Sequence, residues 1–155
     1  SEAVLRGGGD GAPRSTHAEA GEGQSRALLA RVEILVVEDN PDAAELVQVV
    51  LQDAGASVRL AADYSSALEA LAQSWPQVLV SDVGLPGRDG YELLREVRRI
   101  GETEGRPRLY ALALTAFSRS KDIKRAMEAG FDTHMSKPLQ AHLLVKTIAE
   151  RPDFA

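Results

Sequence analysis

With 155 residues, 44% of them apolar, the chain is long enough for one domain with its own core. A formal net charge of −5 argues against holding nucleic acid by bulk electrostatics, and the lack of cysteine removes disulfides, thiol catalysis and thiolate metal sites. His17, His134 and His142 are too scattered for a zinc pattern, and no apolar run is long enough to cross a bilayer as a helix; a soluble, cytoplasmic protein with no direct membrane contact is expected.

Residues 1–30 read as a flexible, glycine-rich tail, leaving 31–155 for the folded domain. Six of the 13 glycines fall in the first 25 residues, and such a stretch buries too little apolar surface to offset its ordering entropy. No Gly-Lys-Ser/Thr ending follows these glycines, so they do not make a phosphate loop. Residues 24–31 are expected to lead in as a short helix. The opening Ser1 fits equally a removed initiator methionine and a piece of a longer protein.

From residue 32 the pattern alternates. Residues 32–37 form a short β-branched run, a buried strand. Asn40 as N-cap and Pro41 at the first helical position start a helix that runs to about Ala54 and stops at Gly55. Its expected apolar face is Ala43, Leu46, Val47, Val50, Leu51 and Ala54, with Val49 alone on the polar side. Residues 57–61 are a second strand, followed by a helix from Asp63 or Tyr64 to about Gln73. Residues 77–82 are the third strand. A helix over 91–100 follows the loop Val83 to Gly90, and 101–107 reads as a polar loop. The fourth strand is expected at 109–114, a helix at 119–129, a fifth strand at 132–136 and a last helix from Pro138 to about Glu150.

Five βα units in this order predict a doubly wound α/β fold, a five-stranded parallel sheet with strand order 2-1-3-4-5. Strands one, three and four are apolar almost throughout, as parallel strands covered on both faces should be. The carboxyl ends of strands one and three flank the switch point of such a sheet, where ligands bind. Glu38-Asp39 and Asp82 fall at those ends, Thr115 follows strand four, and Lys137-Pro138 follows strand five.

Crowded carboxylates repel unless a cation sits among them. Hard oxygen donors suit Mg²⁺, with Asp39 and Asp82 as direct ligands, Glu38 acting mostly through water, and the Gly84 backbone carbonyl completing the protein side. Asp82 can then serve as a nucleophile for a phosphoryl group. Lys137 would pair with one phosphoryl oxygen, and the Thr115 hydroxyl with the Ala116 backbone would reach another. Either acid alone would read as a cap of the next element, Lys137 as a surface ion pair and Thr115 as a strand-end hydroxyl. All of them at one sheet edge favour the phosphoryl site.

Four runs carry a resemblance: Ile34-Leu-Val-Val-Glu-Asp-Asn40, Leu79-Val-Ser-Asp-Val-Gly-Leu-Pro-Gly-Arg-Asp-Gly-Tyr91, Leu112-Ala-Leu-Thr-Ala116 and Gly130-Phe-Asp-Thr-His-Met-Ser-Lys-Pro138. In this order and spacing, residues 32 to about 150 resemble a CheY-like response-regulator receiver domain. The resemblance implies that Asp82 takes phosphate from a phosphohistidine on a histidine kinase or histidine phosphotransfer partner, with Mg²⁺. It also implies a cis Lys137–Pro138 bond. The family often has Tyr or Phe where this chain has His134, so a switch built on Thr115 and His134 would be weakened, altered or pH-sensitive; an ordinary exposed strand histidine is the competing reading. Gly84 and Phe117 stand where the family tunes dephosphorylation, and neither side chain can orient a water, so fast self-hydrolysis is not expected.

The run around Asp82 is similar to receivers at the C-termini of hybrid histidine kinases, which makes an excised kinase receiver the first expectation and a stand-alone single-domain regulator the second. The resemblance implies no conventional enzyme by itself, beyond catalysis of its own phosphotransfer and dephosphorylation, unless the chain is a piece of a histidine kinase. Lys121, Lys124 and Arg125 on the fourth helix and His142 and Lys146 on the fifth are either a solvated basic face or an output or homodimer surface. A flavodoxin-like cofactor module is the alternative from another class; Glu38-Asp39 after strand one would repel a cofactor phosphate directly.

Overall fold

The apolar runs become β1 (Glu33–Val37), β2 (Ser57–Ala61), β3 (Val78–Asp82), β4 (Tyr110–Thr115) and β5 (Thr133–Ser136). They alternate with α1 (Pro41–Asp53), α2 (Tyr64–Gln73), α3 (Gly90–Glu104), α4 (Ser120–Ala129) and α5 (Ala141–Ala149). The structure, a computed structural model, describes residues 28–116 and 120–153, so the expected tail through residue 27, Phe117 and Arg119 lie outside the described residues. Leu29 is already in the core and its amide bonds the Ala54 carbonyl at 2.9 Å, ahead of the expected domain boundary.

All four strand pairings are parallel and the order is β2-β1-β3-β4-β5. Every residue of β3 and β4 is buried, and all of β1 but Glu33. Because successive side chains leave a strand on opposite faces, the sheet has two cores. Leu35, Val37, Leu79, Ala111 and Ala113 pack against α2, α3 and α4. Ile34, Val36, Val78, Val80 and Leu112 pack against α1 and α5.

The helix starts follow their capping residues. Asn40 accepts the Ala43 amide at 2.9 Å with Pro41 at the head of α1. Asp63 with Ser66, and Asp89 with Glu92, form capping boxes at α2 and α3. The Ser66 amide and hydroxyl hold the Asp63 carboxyl below the usual carboxylate range. Its stabilisation is therefore full above that range and is lost as pH falls through the lowered value. Asp63→Ala should lower Tm by about 3 °C at neutral pH, and the difference from the unmodified chain should shrink in acid, as thermal melts at several pH values will show.

Three expectations need correction. On α1, Ala44, Val47 and Leu51 are buried while Leu46 is 53% exposed, so the buried face is rotated from the expected one. The third helix does not stop at Ile100: it continues through Gly101, and Gly105, at φ 65°, caps it. The Trp75 ring lies on Gly101, where an added Cβ would sit 3.4 Å from it, so packing favours helix at a residue that sequence reads as a breaker. The last helix starts at Ala141, because Pro138 to Gln140 stay non-helical after the cis Lys137–Pro138 bond.

At the amino end of the sheet, Asp132 accepts the Ala111 amide at 2.8 Å and Arg98 Nη2 at 2.9 Å, and also pairs with Arg108. Arg98 further donates to the carbonyls of Leu109 and Gly130. These bonds tie α3 to the starts of β4 and β5.

Candidate functional site

β1 has β2 on one side and β3 on the other, so the chain leaves their carboxyl ends in opposite directions and opens a crevice there. Glu38 follows β1 and is 4% exposed; Asp82 ends β3 and is 8% exposed; Asp39 is exposed. One carboxylate oxygen from each of the three lies within 4.8 Å of the others.

Lys137, just past β5, enters this cluster. Its Nζ lies 3.1 Å from Glu38 Oε1 and 3.2 Å from Asp82 Oδ2. Its amide donates to the Thr115 carbonyl at 2.8 Å, which fixes the end of β5 beside the end of β4. The other oxygens are also partnered. Asp82 Oδ1 accepts the Gly84 amide at 3.0 Å, and Glu38 Oε2 accepts the Asn40 amide at 3.2 Å.

Burial pushes the Glu38 carboxyl above its ordinary range; the Asn40 amide opposes this, the Asp82 charge adds to it and Lys137 opposes it. For Lys137, burial alone would lower the value. The bond to Glu38 and the charges of Asp82 and Glu38 outweigh burial and hold it above the ordinary range. The site is thus an acidic crevice with the Lys137 ammonium inside it. Its donors are hard carboxylate oxygens at an accessible edge, which fits a divalent cation such as Mg²⁺.

Of the residues read from sequence, Glu38, Asp39, Asp82 and Lys137 meet in this crevice, and of Gly84 it is the amide that bonds there, to Asp82. Thr115 is 2% exposed, and its hydroxyl donates to the Met135 carbonyl at 3.4 Å; Ala116 beside it is exposed. His134 is half-buried on β5, in register with Ala113.

Sequence reasoning missed Gly90. A Cβ there would lie 2.5 Å from the Asp82 carbonyl oxygen and 2.7 Å from the Val83 Cα, and the Gly90 amide donates to the Val83 carbonyl at 3.0 Å. The first turn of α3 is therefore pressed directly against the backbone of Asp82. The signal available was the Asp89-Gly90 step at a helix start, where glycine is not otherwise preferred.

The family profile described as the response regulator receiver domain matches residues 34–149. The chain belongs to the response-regulator receiver family. It is 38% identical over 122 residues to an uncharacterized 14.6 kDa protein in the sodA1 3' region of Leptolyngbya boryana, covering 79% of this chain and 91% of that one. It is 33% identical over 116 residues to the sensor histidine kinase RcsC of Salmonella typhimurium, covering 75% of this chain but only 12% of the kinase. Among solved structures, a putative response regulator from Chloroflexus aurantiacus superposes with a TM-score of 0.70 at 35% identity, over 78% of this chain and 99% of that one. The co-crystal structure of the histidine phosphotransfer signaling protein Ypd1 and the receiver domain of its downstream response regulator Ssk1, from Saccharomyces cerevisiae, matches with a TM-score of 0.72 at 25% identity, over 79% of this chain and 89% of that chain. The receiver fold and its place in two-component signalling hold for this chain.

Proposed function

We propose that this receiver accepts a phosphoryl group on Asp82 from a phosphohistidine donor and changes its partner contacts in response. The observation that carries the reading is Lys137 bridging Glu38 and Asp82 inside the three-carboxylate crevice. An Asp82 oxygen attacks phosphorus, the donor's P–N bond breaks, and its electron pair returns to the imidazole. Lys137 keeps a positive charge beside the acceptor, and the Gly84 amide orients the carboxylate from the other side. Glu38, Asp39 and Asp82, with the Gly84 carbonyl, would hold Mg²⁺, which supplies charge neutralisation for the phosphoryl oxygens. Thr115 would exchange its Met135 partner for a phosphoryl oxygen, with His134 beside it on β5 shaping how far that movement spreads.

The histidine-bearing partner is proposed to dock on α1, next to the crevice. Leu46 and Val49 are 53% and 47% exposed there, one helical turn apart. The likeness to the Ypd1–Ssk1 complex supports this choice of partner. Likeness to RcsC supports a parent hybrid kinase, whereas the 91% coverage of the Leptolyngbya protein supports a single-domain regulator. Met127 on α4 and Leu143 on α5, both exposed, support an output or self-association surface on that side.

The test is intact mass after incubation with Mg²⁺ and acetyl phosphate or a phosphorylated histidine donor. A gain of one phosphoryl group is expected; no uptake from any donor by folded protein with Mg²⁺ present would refute the reading.

Lys137→Met isolates the ammonium's part. Without it, Glu38 and Asp82 face each other unneutralised, so the cation-free variant should lose about 1–2 kcal/mol in urea denaturation, a buried-pair cost reduced because Lys137 is 34% exposed. The same change should raise divalent-cation affinity by roughly fivefold, because one positive charge leaves the cluster. Isothermal titration with Mg²⁺ checks the second effect.

A further inference from the structure

α4 is weakly anchored. Its buried residues are two alanines, Ala126 and Ala129, whereas α3 buries Tyr91, Leu93, Leu94 and Val97. Two methyl groups remove little apolar area from water, so core packing alone leaves α4 at the low end of local stability.

One long side chain supplements that packing. Arg125 reaches from α4 to the start of α3, where its Nη2 is 3.5 Å from Asp89 Oδ2 and its guanidinium carbon lies 4.3 Å from the centre of the Tyr91 ring. Both partners belong to the segment that follows Asp82. Asp89 is the N-cap of α3, bonded to the Glu92 amide at 2.9 Å, and Tyr91 is only 5% exposed. Gly90 stands between them, pressed on the Asp82 carbonyl with no space for even a methyl group. The Gly90 amide also holds the Val83 carbonyl at 3.0 Å, so a backbone displacement there is passed to the turn that carries Asp89 and Tyr91. The exposed Arg125 side chain makes one ion pair with a part-buried carboxylate and one stack on a buried ring, each weak enough to be released and remade.

We propose that Arg125 is a positioning residue that ties α4 to the loop carrying Asp82, so that phosphoryl uptake repositions α4 through Asp89 and Tyr91. The inference rests on Asp82 being the acceptor. A phosphoryl group adds negative charge and bulk beside the loop from Gly84 to Asp89, the loop adjusts, and Arg125 carries the adjustment to a helix whose buried described residues are two alanines.

The experiment is hydrogen–deuterium exchange of the α4 amides before and after phosphorylation, in the unmodified chain, Arg125→Gln and Arg125→Lys, with uptake read first by intact mass. In the unmodified chain, phosphorylation should change α4 exchange by several-fold. In R125Q, α4 should exchange about tenfold faster in both states and lose the phosphorylation-dependent difference, while uptake at Asp82 is unchanged. R125K, which keeps the cation, should restore part of the difference. If R125Q exchanges faster but keeps the full phosphorylation-dependent difference, Arg125 is only a structural brace and the coupling is wrong. The coupling is equally wrong if phosphorylation of the unmodified chain leaves α4 exchange unchanged. Absence of uptake in the unmodified chain would sink the acceptor reading, and this inference with it, at the mass measurement and before any exchange is read.

Discussion

Asp82→Asn should fold normally and take up no stable phosphoryl group under conditions that label the unmodified chain fully. The amide retains an oxygen for the Gly84 N–H, which now meets Asp82 Oδ1 at 3.0 Å. Lys137 keeps Glu38 as its partner, at 3.1 Å. The substitution also removes one charge of a crowded trio and relieves the repulsion that Asp82 exerts on Glu38. Stability should therefore stay within about 1 kcal/mol of the unmodified protein, the lost pairing with Lys137 offset by the relieved repulsion. The amide lacks the anionic oxygen that attacks phosphorus, so the chemical effect is near complete while the structural one is small. Intact mass and urea denaturation on the same sample separate the two. Label retained at the unmodified level in the asparagine variant would place the acceptor elsewhere.

Gly90→Ala should cost far more stability than the same change at Gly84 or Gly101. Glycine to alanine at an open helical position usually stabilises by up to about 1 kcal/mol. Here the new Cβ would stand 2.5 Å from the Asp82 carbonyl oxygen and 2.7 Å from the Val83 Cα, both backbone atoms with no rotamer to turn away. Either α3 backs off or the end of β3 moves. The expected cost is about 3 kcal/mol, the upper part of the range for overpacking, read as a shift in urea midpoint at unchanged slope. Because the displaced atoms belong to the backbone of the proposed acceptor Asp82 and of Val83, the rate of phosphoryl uptake should fall as well. Gly84→Ala is the control: its Cβ would lie 3.7 Å from Asp82 Oδ1, an ordinary contact, and should cost little.

The sequence made the sheet legible because its central strands are buried on both faces, which leaves short apolar runs that end in polar residues. Glu38, Asp82 and Thr115 each close such a run, and the strand order puts them at one edge. What escaped were consequences of contacts between distant residues. Gly101 breaks a helix in isolation, but Trp75 from another element packs onto it. The α1 face was misplaced because Leu46, although apolar, points to solvent while Ala44 faces the sheet. The Asp132 hub with Arg98 and Arg108, and the reach of Arg125 to Asp89 and Tyr91, join side chains tens of residues apart with no periodic trace in the chain. The pressure of Gly90 on Asp82 has the same character: the residue is visible, its neighbour is not.

Asp82 itself is proposed to carry the phosphoryl group. The direct measurement is to label the protein with a phosphorylated histidine donor and Mg²⁺, reduce it with borohydride, and map the peptides. An aspartyl phosphate is an activated acyl group and reduces to homoserine, whereas a free carboxylate does not. Homoserine is expected at position 82 and nowhere else. An unreduced aspartate at 82 in fully labelled protein, or homoserine at Asp39 instead, would contradict the claim.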